Sequence, residues 1–252
     1  MPKLLAVGER GLRPLVGALG EIVVGGAQCL AALVASPMLR RWYDAWGATA
    51  AEVRSAVPGD ELVDAPVLGY TRAITVEAPP ERVWPWLVQI GHGRGGLYSY
   101  DGLENLLGCQ LHSATRVLAD HQHPALGDLV RLGPEGYPCF AIMRLEAPHT
   151  LVLMGADPRT GEPPQPGPPG PRDTTVTWQW QLRTVPGGRT RLVVRQRIMC
   201  PPSQRPMWRI VEPLNFVMER RMLRQLKSLA ERSEPGRRSR PGNASRPSDG
   251  PT

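Results

Sequence analysis

Apolar and polar positions divide the chain into four stretches. Residues 12–36 are apolar and glycine-rich, with Arg13, Glu21, Gln28 and Ser36 as the polar exceptions. That is long enough for a helix to cross a bilayer core. Arg40, Arg41 and Trp42 follow as the basic, aromatic flank such a span carries. Glu21 opposes a clean span, because a carboxylate in lipid costs a few kcal/mol. The pattern leaves a membrane span, an interfacial helix, a packed soluble helix and a processed segment open. Residues 42–68 read as a helical lead-in. Thr49 with Glu52 three positions on makes a capping-box pattern for a helix over 50–57, and Pro58-Gly59-Asp60 stops it.

Residues 69–232 alternate between strand and helix periods. Residues 70–76 read as a strand, and Pro79-Pro80 opens a helix over 81–90 that Gly91 closes. Ser99 is a candidate cap for a short helix ending near Leu107. Strands are expected over 129–132, 139–145, 151–155, 176–183 and 191–199. A helix over 206–231 follows, with an apolar face of Met207, Val211, Leu214, Met218, Met222, Leu226 and Leu229. Pro213 should loosen its first part. The order predicts an α+β domain, an antiparallel sheet with helices on one face. Residues 233–252 are Pro, Arg, Ser and Gly with no apolar run, which predicts a disordered basic tail. The proline-rich stretch within 157–173 predicts a solvated loop.

Composition changes the picture in two places. The net charge is +7, yet only Lys3 and Lys227 are lysines. With 28 prolines and 27 glycines, the arginines suit the coding bias of a GC-rich bacterial genome. No groove-reading element accompanies them, so nucleic acid is not expected as a partner. The four cysteines are widely spaced without a CxxC pair, which predicts free thiols in a reducing compartment and no zinc ribbon. The chain is expected to be cytoplasmic, with residues 12–36 as the link to an inner membrane if it has one.

Candidate chemistry comes from polar residues on apolar faces. On the strand 176–182, Val176, Trp178, Trp180 and Leu182 share one face, which walls a cavity or fills a core. Arg72 stands out among Tyr70, Ile74 and Val76, and Gln196 among Leu192, Val194 and Ile198. Burying either needs a partner. If the first and last strands are neighbours, the two form a polar handle for a carboxylate, phosphate or carbonyl; otherwise Arg72 reaches solvent or an acid such as Glu104. Met218 and Met222 suit an adaptable wall. The turn Gly91-His-Gly-Arg-Gly-Gly96 is not a phosphate loop, since no Lys-Ser/Thr follows and the glycines come after a helix. Tyr98, Tyr100 and Asp101 come next, and a Tyr–Asp pair can relay a proton or simply satisfy itself. His112, His121 and His123 lack acidic or cysteine partners at ligand spacing, so no metal is expected. GxSxG, HExxH and kinase signatures are absent from the sequence.

The segment VWPWLVQIGHGRGGLYSYDGLENLLG (83–108), the preceding TRAITVEAPPERV, and WGATAAEV, VPGDELV and FVMERRMLRQLKSLAE together resemble the SRPBCC or START-like superfamily, in its polyketide cyclase/dehydrase-like branch. The resemblance covers residues 42–231. It implies a helix-grip fold: a curved antiparallel sheet around a long C-terminal helix, here with an N-terminal helical extension (1–41), a lead-in (42–68) and a ligand-binding domain (69–232). It also implies a cavity for a small hydrophobic molecule such as a lipid, isoprenoid or polyketide, with no cofactor. The cavity candidates are Arg72, Tyr98, Tyr100, Asp101, Trp178, Trp180, Gln196, Met218 and Met222. One cavity fold hosts carriers, cyclases and scaffolds. A binder working near a membrane, a cyclase or dehydratase, and a scaffold with a filled cavity all fit. Catalytic residues and oligomeric state do not follow from the sequence.

Overall fold

The computed structural model describes residues 5–163 and 174–232. Residues 164–173 and 233–252, where the sequence predicts most of the solvated loop and the basic tail, lie outside the described residues. The described chain is α+β. Helix α1 (Leu5–Asp44) leads through α2 (Ala50–Arg54) to strand β1 (Leu68–Val76). Helices α3 (Pro80–Val88) and α4 (Asp101–Leu106) follow. Then come β2 (Leu129–Arg131), β3 (Cys139–Glu146), β4 (Thr150–Ala156), β5 (Thr175–Val185), β6 (Arg189–Met199) and the final helix α5 (Arg205–Arg232). The six strands form one curved antiparallel sheet in the order β1-β6-β5-β4-β3-β2. The sheet wraps α5, as the helix-grip expectation requires.

Alternation decides what each sheet face buries. The inner face stacks Trp178 and Trp180 of β5 against Leu153 and Leu151 of β4, and Gln196 and Val194 of β6. Phe140, Met222, Leu223 and Leu226 complete this core. The outer face of β6 presents Arg191, Arg195 and Arg197 to the lead-in. Arg195 donates to Thr71 Oγ1, to the carbonyls of Glu52, Val53 and Ser55, and to Asp60 Oδ2 at 2.6 Å. Arg191 holds Glu52, whose own carboxylate closes the predicted capping box on Thr49. Gly47, at φ +70°, lets the chain pass Ala73: an added Cβ there would lie 2.1 Å from the Ala73 carbonyl oxygen.

Helix α1 continues without a break from the apolar segment through Trp42. Two expectations need correction. The cap of α4 is Tyr100, with no side-chain bond, and Ser99 instead donates to the Met218 carbonyl. The buried face of α5 is also rotated from the predicted one. Glu212, Phe216, Val217, Glu219 and Leu223 are buried, whereas Met207 is half exposed. The physical reason is that α5 is sandwiched, with the sheet on one side and α1 on the other, so its charged positions are drawn inside.

Candidate functional site

The centre of the molecule is an ionic cluster on α5. Trp208, Glu212, Asn215 and Glu219 recur at helical spacing and form a polar stripe along its buried side. Glu219 is 2 % exposed. Its carboxylate accepts from Arg72 Nη1 at 2.7 Å and from Trp178 Nε1 at 3.0 Å. Arg72, fully buried, also donates to Asn215 Oδ1 at 2.9 Å and to the Tyr43 carbonyl of α1 at 2.8 Å. Its guanidinium lies 3.6 Å from the Tyr70 ring centroid, a cation–π contact. Tyr70 donates to Asn215 Oδ1 at 2.6 Å. Burial first, and then the Glu219 charge, push its phenol pKa well up. The cluster thus ties β1, β5, α5 and α1 together.

Arg72 is therefore inside, but its partner is Glu219, neither solvent nor Glu104. The register sets Arg72 opposite Val194 and Gln196 opposite Tyr70, so the two expected handle residues are not a directly facing pair. Gln196 instead lines a recess of about 10 Å³ with Tyr70, Trp208, Glu212 and Asn215. Trp208 Nε1 and Glu212 Oε2 have no hydrogen-bond partner there among the described residues. Arg40 Nη2 lies 3.4 Å from that Glu212 oxygen, as an ion pair without hydrogen-bond geometry.

At the α1–α5 joint, the Asp44 carboxyl lies beside that of Glu212. Burial, then this neighbouring acid, push the Asp44 pKa up to about 8, against the pull of Arg72 and Arg40. Glu104 is also raised, to about 7, by burial first and the Asp101 charge second. Both carboxyls hold protons near neutrality more readily than a solvated acid does.

The remaining candidates are structural in their contacts. Trp178 and Trp180 pack at 4.9 Å between ring centroids, and Trp180 is 1 % exposed. Together with Phe140 and Met222 they belong to one buried cluster between the sheet and α5. Met218 is half-buried under the Ser99 hydroxyl. Tyr98, at φ 54°, is buried and receives the Gln89 side-chain amide at 2.6 Å; burial pushes its pKa up to about 12. Tyr100 donates to Gln28 of α1, while Asp101 accepts from the Ser113 amide and hydroxyl at 2.6 Å. Tyr98, Tyr100 and Asp101 thus face three different partners and make no Tyr–Asp relay. Among the described residues no group of three or more His, Cys, Asp or Glu is arranged to hold a metal. His121 and His123 border an open groove with Arg94 and Asp128. Sequence reasoning missed Glu219, Asn215, Trp208 and Asp44. The spacing 208, 212, 215, 219 was the available signal.

No protein-family model matches the chain, and no curated protein matches it. Solved structures that resemble it include protein MLL2253 from Mesorhizobium loti, at 18% identity over 65% of this chain and 98% of that one, TM-score 0.37. The Aha1 dimer from Colwellia psychrerythraea is similar at 16% identity over 67% and 100%, TM-score 0.36. PFC0360w, an HSP90 activator from Plasmodium falciparum, is similar at 11% identity over 52% and 72%, TM-score 0.29. Likeness at this level adds nothing to the reading of the site, which rests on the chain's own geometry.

Two outcomes follow from the cluster. Glu219→Ala should cost about 3–5 kcal/mol, because it strands the buried Arg72 charge. Arg72→Met combined with Glu219→Ala should cost clearly less than the sum of those two single changes. Denaturant unfolding of the double-mutant cycle measures this, and strict additivity would refute the coupling. The second outcome is a pH dependence. Asp44 and Glu104 bind protons more tightly folded than unfolded, so their stabilising contribution is full below about pH 4 and is lost as pH climbs through 7 and 8. Asp44→Asn should flatten that decline. Glu52, held near 2 mainly by Arg191, works the opposite way and loses its contribution only as pH falls below 4.5 towards 2. Thermal melts at several pH values separate the two.

Proposed function

We propose that this chain is a non-catalytic binding module that rests on a membrane surface through α1, with its helix-grip body held above the lipid. One observation carries the reading: α1 is amphipathic in the inverted sense. Its polar residues turn towards the protein. Glu21 pairs with Arg221 and accepts from the Gly102 amide; Gln28 accepts from Tyr100; Ser36 is buried; Arg40 pairs with Glu212. Glu21 is the sole charge within residues 17–39. The opposite side exposes Leu19, Val23, Leu30, Val34 and Met38 in one stripe, with Met38 89% exposed. The span Gly17–Asp44 has 28 residues, about 42 Å of helix.

Water solvates such a stripe poorly, and soluble proteins rarely leave one bare. A bilayer interface accepts it. A full crossing suits α1 less well, because it would carry Glu21 and its partners on α4 and α5 into hydrocarbon. Charge agrees with an anionic surface. Exposed Arg41 ends the stripe, and exposed Arg205 and Arg209 flank exposed Met207 and Ile210 where α5 begins, near the Arg40–Glu212 pair. Burial of Trp178, Trp180, Phe140 and Met222 in one core cluster supports an interaction module over a carrier that encloses a whole lipid. The catalytic alternative loses support with the Tyr–Asp relay.

Full-length protein should co-sediment with vesicles of phosphatidylcholine and phosphatidylglycerol, and less with phosphatidylcholine alone. Val23→Asp with Val34→Asp should reduce binding by about tenfold or more, since each puts a charge into the apolar contact. Leu126→Asp, an exposed apolar site elsewhere, should bind like the parent. Absence of parent binding, or equal binding by the double variant, contradicts the proposal.

A further inference from the structure

Helix α5 carries a pair of unneutralised arginines on an aromatic platform. Arg220 and Arg224 stand one helical turn apart, and both guanidiniums lie over the Trp46 ring, at 5.7 and 5.8 Å from its centroid. The platform is tied to the fold. The Trp46 carbonyl accepts from the Ala73 amide of β1 at 3.0 Å, and its ring meets that of Phe216 edge-on at 6.3 Å. Neighbouring cations on α5 have acids of their own: Arg221 pairs with Glu21, and Lys227 with Glu231. Arg220 and Arg224 do not. Among the described residues no carboxylate lies within ion-pair distance of either, and neither side chain donates a hydrogen bond to another residue. Burial first, and the Arg224 charge second, lower the Arg220 pKa. Like charges at this spacing cost a helix stability when nothing neutralises them. Arg220 is half-buried and Arg224 exposed, so a ligand can reach both from solvent.

We propose that Arg220 and Arg224 together bind the phosphate group of a phosphate monoester. Each guanidinium is a planar fork of N–H donors that keeps its charge at any accessible pH. A phosphate monoester brings three acceptor oxygens and close to two negative charges near neutrality, so it can receive both forks and neutralise both arginines. A carboxylate brings one charge and two oxygens, enough for a single fork. Contact with the Trp46 face restrains the two guanidiniums before the ligand arrives, which lowers the ordering cost of binding. The phosphate can belong to a soluble molecule or to a lipid headgroup, since the chemistry that recognises it is the same. The soluble case stands without any attachment of α1 to a membrane.

The test uses full-length protein in vesicle-free buffer at constant ionic strength, titrated with glycerol 3-phosphate, acetate and chloride in turn. The readout is the pair of Nε–H resonances of Arg220 and Arg224, each assigned by its loss in Arg220→Gln or Arg224→Gln. Glycerol 3-phosphate should shift both resonances together and saturably, and acetate and chloride should saturate neither. Each Gln variant should weaken glycerol 3-phosphate binding, measured by calorimetry, by about tenfold or more, as loss of a charge-assisted hydrogen bond does. Arg144→Gln, which removes an equal charge from β3, should bind like the parent. Vesicles then identify the source. Stronger capture by phosphatidic acid than by phosphatidylglycerol at matched surface charge, with the excess lost in both Gln variants, assigns the site to a lipid headgroup. Equal capture, or none, assigns it to a soluble phosphate. A shift of one arginine alone, the same shifts with chloride, or undiminished calorimetric binding in both Gln variants would overturn the assignment, whatever the vesicles show.

Discussion

The Glu219 carboxylate governs the architecture. A buried charge must be met by donors or it unfolds its surroundings. Here the donors come from β1 and β5, through Arg72 and Trp178. That requirement constrains the rotation of α5 over the sheet, since its face must present Glu219 to both. Arg72 in turn reaches the Tyr43 carbonyl, so the end of α1 is anchored by the same charge. A hydrophobic cluster of equal volume would give comparable or greater stability, but it would tolerate a turn of α5 about its axis. The ionic cluster sets orientation.

Orientation then decides where function can reside. With α5 fixed, its second side receives α1, and the polar residues of α1 find Arg221, Tyr100 and Glu212 there. The apolar remainder of α1 is left facing out. Trp178, Trp180, Phe140 and Met222 pack into the core between the sheet and α5. The α1 stripe, the recess at Trp208 and the open groove at His121 and His123 interrupt this closed surface among the described residues. On the far side of the sheet, Arg191, Arg195 and Arg197 fasten the lead-in, which gives these arginines a structural task.

The strand faces were legible because alternation is strict: Trp178 with Trp180, and Arg72 with Ile74, fall where period two puts them. The capping box at Thr49 was legible because it is local. The face of α5 was misread because Glu212 and Glu219 look like solvent-side residues to any apolar pattern. Only a buried arginine on a neighbouring strand reverses that, and a strand some 150 residues away in sequence gives no local sign of it. Tyr98, Tyr100 and Asp101 looked like one cluster because they are adjacent in the chain. The φ of 54° at Tyr98 and the start of α4 send them to Gln89, Gln28 and Ser113. The apolarity of residues 12–36 was plain, but which side faces outward depends on α4 and α5.

The most direct measurement of the membrane-surface account is spin-label accessibility along α1. Single cysteines are placed through residues 19–42 in a background lacking the native four, and oxygen relaxation is recorded on anionic vesicles. The account predicts a helical period, with maxima at positions 19, 23, 30, 34 and 38 and minima at 25, 32 and 36. Uniformly high oxygen contact along the whole helix would mean that α1 leaves the body and crosses the bilayer, and uniformly low contact would mean that its exposed stripe serves something other than lipid.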